Sequence, residues 1–387
     1  MAHGYVWNGP KPSDRLPASI AVPWDEVSQD LEIRPVATLS AVCLWNYTTL
    51  FPLRRGQLLT LDNLAIIQTF TGTPSESWFY LISAAIEARS ASIIPLLLDS
   101  LHAVRANNIS HLISHLRELA EEIAEMGQIL QKMQVECDPN IFYNNIRPYL
   151  AGWYNMSHVG LPHGVIYEGT SPFFVDPSHP IDWSTGYRTY SGGSNAQSAL
   201  IQALDIVMGV EHRPTREKRE AGGEGVAPPK KLEFIKDMRG YMPGPQRRFL
   251  EDLSRVSNLR DFIECHPQQE LKEAYDACLA GLRRFRDIHI QIVSRYILVP
   301  SNKSAVVKPN PGSETGTGGT KLVPFLKQVR EETVEGVASE FTRGLIARGL
   351  FPREMAKRIR DEGNVSKTVA LAGVWESGFD GGGICHW

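Results

Sequence analysis

Residues 284–297, RFRDIHIQIVSRYI, decide how this chain is read. As a helix the stretch puts Phe285, Ile288, Ile292, Val293 and Tyr296 on one face, because its apolar residues recur at three- and four-residue steps. His289 falls on the same face, and Arg286, one turn earlier, also leans inward. Arg284, Asp287, Gln291 and Arg295 take the opposite side. An imidazole in an apolar stripe has two readings. Either it is a core residue whose nitrogens find a carbonyl or a water, or it is a neutral ligand offered to a metal or a haem iron. The stretch alone leaves both open.

Composition narrows the surroundings. The chain has 387 residues, 42% of them apolar and 21% charged, enough to bury a large core in an ordinary globular protein. Its net charge of −3 argues against a nucleic-acid surface, which would be basic. Five cysteines are dispersed, with no CxxC and no zinc-like spacing, as expected of reduced thiols in a reducing compartment. No apolar run approaches the length of a membrane span, and the N-terminus lacks a signal peptide's apolar core. These features predict a cytoplasmic protein that needs neither nucleic acid nor membrane.

Along the chain, residues 1–30 read as an irregular, proline-rich arm. Thr73, Pro74 and Glu76 read as a helix start with a capping box. The helix after them is apolar nearly all round as far as Pro95, and Phe79 and Ser83 share one of its faces. Leu116, Leu119, Ile123, Met126, Leu130 and Met133 form a bundle seam over 115–135. Asp138 and Pro139 restart a helix that Pro148 should kink or end just after Arg147, one turn beyond Tyr143. Residues 155–193 wind irregularly, and Ser194 with Gln197 reads as the cap of the next helix. Asp205 sits in that helix's apolar middle and needs a cation, as Arg286 needs an anion. Residues 211–231 and 301–321 read as loops, and 322–341 as helical. Strand signals are few, so the class is mainly α.

Catalytic motifs are scarce. GTGGT at 316–320 lacks the Walker spacing and follows no strand, so it reads equally as a plain linker or as a loop that orders over a ligand. No Ser-His-Asp order and no HExxH stands out. The remaining histidines considered, His212 among them, read as surface or structural. YMPGPQRRFL (241–250) and EAYDAC (273–278) read as packing and turn motifs.

Several strings, taken in order, resemble the indoleamine 2,3-dioxygenase family: WFYLIS, IRPYLAGW, GVIYEG, SGGSNAQSALIQALDIVMGV, DMRGYMPGPQRRFL, LKEAYDACLAGLRRFRDIHIQIVSRYILVP and GTGGTKLVPFLKQVR. Their order and spacing cover roughly residues 2–335. The resemblance implies a helical haem b protein that inserts O2 across the indole C2–C3 bond of L-tryptophan, or another indoleamine, giving N-formylkynurenine. It makes His289 the iron ligand, with Arg286 near a haem propionate and Asp205 as that arginine's partner. Phe79 and Ser83 are implied to face the bound gas and the indole, Phe142 and Tyr143 to form an aromatic wall, and Arg147 to pair with the substrate carboxylate. Gly193 and Ser194 would lie beside the pocket, and Thr317 would belong to a loop over the substrate. Ser83, Arg147 and Thr317 are the residues expected to act on the reaction.

The implied organisation is a reduced N-terminal roof at 1–72, a helical haem domain at 73–340 and a C-terminal extension at 341–387. Family members commonly have further helices before the point where this chain begins, and many carry a tyrosine in the roof where Leu39 stands. The expected assembly is a monomer served by an electron donor that keeps iron ferrous. An O2-binding protein of the same fold without catalysis would keep His289 but have no need of Arg147 or Thr317, and an inactive shortened member would be told apart by whether it retains haem at all.

Overall fold

In the structure, a computed structural model, residues 1–55, 57, 59–171, 186–213, 234–303, 322–339 and 342 are described. Helices α1 (Ala2–Trp7), α2 (Ala18–Asp30), α3 (Pro74–Ala88), α4 (Ser90–Arg105) and α5 (Ile109–Gln131) form the first half. After them come α6 (Ala199–Val207), α7 (Gly244–Val256), α8 (Gln269–Val293) and α9 (Leu322–Glu332). The fold is mainly α, as its patterning predicts. Two small sheets add to it. β1 (Arg15–Leu16) runs parallel to β4 (Val165–Tyr167), which pairs antiparallel with β5 (Tyr187–Arg188). β2 (Tyr47–Thr49) and β3 (Leu64–Ile66) form an antiparallel hairpin.

The central pair is α5 against α8. The seam residues Leu116, Leu119, Ile123 and Met126 are fully buried, and each contributes about 1.5–3 kcal/mol by leaving water. Close approach depends on two glycines. A Cβ on Gly127 would meet Ile288 Cδ1 at 3.2 Å, and one on Gly281 would meet Ile123 Cγ2 at 3.2 Å. Ile288 therefore packs on α5, while Phe285, His289, Ile292, Val293 and Tyr296 line a cavity on the adjoining side of α8. The single apolar stripe divides between two neighbours.

EAYDAC staples α8 at its other end. Tyr275 Oη donates to Met208 O (2.6 Å) at the end of α6. The buried Asp276 carboxylate accepts from Ala338 N (2.8 Å), Ser339 N (3.1 Å) and Ser339 Oγ (2.6 Å), which ties down the chain after α9.

The N-terminal stretch is not an irregular arm. It holds α1, β1 and α2, because residues 2–36 share a second apolar core with Trp153, Val165, Tyr190 and Tyr241. Tertiary packing overrides the proline content there; Pro17 precedes α2 and Pro23 is carried inside it. Arg188, 1% exposed, pairs with Asp25 at 2.6 Å and lies over the Tyr167 ring.

His3 is buried between these parts. Its Nδ1 lies 2.9 Å from Tyr149 O, and Ala37 N donates to Nε2 at 2.7 Å. One nitrogen must donate and the other accept, so the ring is neutral. Burial pushes its pKa down to about 4. A folded pKa below the unfolded 6.5 means stability that is present above pH 6.5 and lost as pH falls towards 4. We expect unfolding free energy to drop by up to about 3 kcal/mol over that window from this group alone. Urea titrations of wild type and His3→Gln should show a shallower acid slope in the variant; equal slopes would remove His3 as the cause.

Local details differ from expectation in four places. Thr73 caps α3, but Glu76 bonds Phe70 N and Thr71 N instead of closing a box on Thr73. The apolar helix breaks at Arg89, and Pro95 lies inside the helix that follows, α4. Ser198, not Ser194, caps α6; Ser194 caps the single turn before it. The helical path continues through Pro148 to Leu150. A widened π-turn, Phe142–Ile146, precedes Pro148 and relieves the clash a proline ring would make with the carbonyl four residues back. Pro300 follows the π-turn Ser294–Leu298 in the same relation, and a third such turn spans Ser40–Leu44.

Among the described residues one helical stretch, Pro74–Arg105, is long and apolar enough to cross a membrane by length and composition. Sequence patterning gives no run of that length, because Glu87 and Arg89 interrupt it. Here the stretch is two helices, and both pack in the main apolar core.

Candidate functional site

The cavity beside His289 is about 260 Å³, walled mostly by apolar side chains from α3, α6, α8 and α9 and by all three π-turns. Leu39 and Val42 enter from the N-terminal side. Leu39 N donates to Gln197 Oε1 (2.9 Å), whose Nε2 donates to Gly192 O (2.8 Å), so one glutamine joins the backbone at Leu39 to the SGG loop.

Among the described residues, no hydrogen bond ends on the His289 ring. Its pKa is pushed down to about 4, first by burial and then by Arg286. The ring is therefore a neutral imidazole, open only towards the cavity. The core reading of this histidine expects a carbonyl at its nitrogens, and among the described residues none is hydrogen-bonded to them.

Arg286 stands one turn before it. Its Nη2 donates to both oxygens of Asp205, at 2.6 and 2.7 Å, and Nη1 donates to Thr333 Oγ1. Burial alone would raise the Asp205 pKa, but Arg286 and His212 together bring it below the ordinary carboxylate value. The pairing read from sequence is made, and it anchors α8 to α6 and to the end of α9.

On the far side, Phe79, Ser83 and Glu87 follow one another at four-residue steps of α3, and all three line the cavity. Phe79 and Phe142 meet at 4.9 Å between ring centroids, tilted 56°, and Phe142 meets Tyr296 edge-on at 5.7 Å. Ser83 Oγ donates back to Phe79 O at 3.4 Å, so it is a weak group. Arg147 reaches the cavity with its guanidinium 5.6 Å from the Tyr143 ring, and burial lowers its pKa, opposed by Tyr143.

Glycines bring the next wall to Arg147. A Cβ on Gly152 would lie 2.2 Å from Tyr190 O, and one on Gly192 would lie 2.1 Å from Leu150 O. No side chain fits either place. With both glycines, Gly193 N donates to Leu150 O at 3.0 Å and Tyr241 Oη accepts from Ser191 N at 2.8 Å. This seats Gly193 and Ser194 on the cavity, and it gives YMPGPQRRFL its place.

Thus Phe79, Ser83, Phe142, Arg147, Gly193, Ser194, Asp205, Arg286 and His289 converge on one cavity. Tyr143 is not in its lining; it stands behind Arg147. Thr317 and the GTGGT loop lie outside the described residues, as does nearly all of 341–387. Sequence reasoning missed Glu87. Its carboxyl is pushed up to about 7 by burial, with Ser198 opposing. Its spacing of four from Ser83 and eight from Phe79 was the available signal. His212 was also undervalued, because its partners Asp205 and Glu332 lie 7 and 120 positions away.

A neutral imidazole with no hydrogen-bond partner among the described residues, facing an apolar cavity with a fixed arginine one turn away, is a donor set compatible with a porphyrin metal. The residues present fit haem. The family model "Indoleamine 2,3-dioxygenase" matches residues 1–336. The chain is 39% identical to the indoleamine 2,3-dioxygenase of Saccharomyces cerevisiae over 86% of its length and 75% of the relative's. It is 37% identical to indoleamine 2,3-dioxygenase acdA of Aspergillus candidus (86% and 78%). It is also 33% identical to 6-hydroxytryptophan 2,3-dioxygenase fscD of Fusarium equiseti (87% and 79%). The chain belongs to the indoleamine 2,3-dioxygenase family, and it is an oxidoreductase of the dioxygenase type.

Proposed function

We propose that this protein binds haem b through His289 and uses O2 to open the indole ring of L-tryptophan, giving N-formylkynurenine at the head of tryptophan catabolism. The observation that carries the reading is that His289 and Arg147 stand on walls of the same apolar cavity. An oxygen carrier has use for the imidazole alone, whereas a guanidinium on the same cavity wall suits the grip of a carboxylate.

Haem, when bound, supplies the site at which dioxygen is taken up and made reactive. The chain's own residues do the rest by placement. Arg147 grips the substrate carboxylate, with a geometry lysine cannot copy. Phe79 and Phe142 hold the indole by ring contacts at little entropic cost. The apolar walls keep water away, and Ser83 is too weakly placed to act as a strong acid or base. That suits an electron-rich ring attacked without prior proton removal, where alignment supplies most of the rate. Both oxygen atoms end in the product, so the net reaction draws no electrons; a reductant is needed only to keep iron ferrous. Substrates such as hydroxylated tryptophans stand as the nearest alternatives. We place the protein in the cytoplasm, as a monomer, with Thr317 contributing from its loop.

The test is direct: reduce the haem-loaded protein, add L-tryptophan and air, and follow formylkynurenine. Arg147→Ala should raise the tryptophan KM by about 10- to 100-fold, the loss of one charge-assisted contact, while leaving the haem absorption spectrum unchanged. An unaltered KM removes Arg147 from the site. Absence of product from wild type refutes the reaction.

A further inference from the structure

Both ring nitrogens of His212 face carboxylate oxygens: Nε2 lies 3.0 Å from Asp205 Oδ2, and Nδ1 lies 2.9 Å from Glu332 Oε2. Ionised carboxylates only accept, and a neutral imidazole has a single N–H. One proton short, a ring lone pair would be set against an oxygen lone pair. Asp205 is not placed to donate instead, and Glu332 is held as an acceptor at its other oxygen. Glu332 Oε1 already accepts from Arg213 N (3.1 Å) and Gln328 Nε2 (2.7 Å), and both Asp205 oxygens accept from Arg286. Two donors are required of the ring, so the geometry selects the imidazolium. The side chains are buried: His212 is 13% exposed, Asp205 6% and Glu332 4%.

We propose that His212 is a positioning residue whose imidazolium closes the chain Arg286–Asp205–His212–Glu332, sets Arg286 in the wall beside His289, and makes that wall respond to pH. Where the wall is taken as the haem wall, this rests on the function proposed above. Two cations balance two anions in the chain. Loss of the His212 proton leaves a buried net negative charge and frees Asp205 and Glu332 from each other, so that among the described polar links Arg286 alone still joins α6 to the end of α9. Arg213 pairs with Glu335, while Glu211, Lys236, Arg239, Arg260 and Asp261 line the polar cavity of about 610 Å³ on its open side.

Burial opposes the charged ring, but Asp205 and then Glu332 outweigh it, and the His212 pKa is raised above 6.5. Stability from a raised histidine is complete below the unfolded pKa and fades as pH rises through the folded one. Each unit of elevation is a tenfold change in the folding equilibrium.

The experiment compares wild type, His212→Gln and His212→Arg, full-length, by urea unfolding of the haem-free chain and by haem release from the loaded one, from pH 5.5 to 9. Wild type should exceed H212Q in stability most at low pH, with the gap closing as pH rises. H212R, a permanent cation able to bridge two carboxylates, should keep its advantage at high pH. Haem release should be severalfold faster in H212Q than in wild type at low pH, and wild type should approach the H212Q rate at high pH. A stability gap independent of pH means a neutral ring and overturns the proposal. A closing gap with identical release rates at every pH overturns the link to Arg286. A chain that takes up no haem defeats the proposed function, while the unfolding comparison still decides the charge on His212.

Discussion

Replacing His289 by alanine should yield a folded chain that no longer retains haem. The ring faces the cavity without a described hydrogen-bond partner, so its removal breaks no protein contact of that kind and unburies nothing charged. Far-ultraviolet circular dichroism and urea stability should stay close to wild type. The Soret band after reconstitution and desalting should be lost, and haem affinity should fall by more than about 100-fold, since changes merely next to a ligand typically cost 10- to 100-fold. Imidazole added to the buffer should restore part of the band by entering the space left behind. An unchanged band in the variant would mean that another residue carries the iron, and the assignment of this cavity would fall with it.

The second large effect concerns Asp205. Asp205→Ala removes the acceptor of both the Arg286 guanidinium and the His212 ring in a buried setting. Stranding a buried cation costs about 3–5 kcal/mol. The measurement is the shift in urea midpoint, read against the double variant Asp205→Leu/Arg286→Leu. That pair should recover most of the lost stability, because two apolar groups need no mutual compensation. It should not recover haem retention if Arg286 is part of the haem wall. A single variant within about 1 kcal/mol of wild type would show that the pair contributes little and that α6, α8 and α9 are held by apolar packing.

The sequence was informative wherever one helix face carried the message. The α5 seam, the Thr73 and Asp138 caps and the inward lean of Arg286 all follow from periodicity within one element, and each is present. The site residues came from ordered motifs that resemble a family, not from spacing alone; spacing left His289 undecided. What was illegible is long-range. Nothing near position 212 announces Glu332, and nothing near position 3 announces Ala37 and Tyr149. The prolines of residues 1–30 suggested irregular chain, because the core they join is supplied by Trp153, Tyr167 and Tyr190, more than a hundred residues later. The family resemblance puts Tyr143 on the wall with Phe142, but the widened turn that holds both directs only Phe142 into the lining.

Those π-turns carry a consequence for how such proteins can change length. Each holds one residue more than a regular helix would need, and all three contribute side chains to the cavity: Val42 and Cys43, Phe142, and Tyr296 with Ile297. Deleting a single residue there would give a tidier helix, and it would redirect the side chains of the turn itself, which are the ones on the cavity. For the second turn the first casualty is Phe142, which would turn out of the lining while every atom of its side chain survived. Descendants of this chain can therefore exchange many amino acids along these segments, but they are not at liberty to shorten them by one.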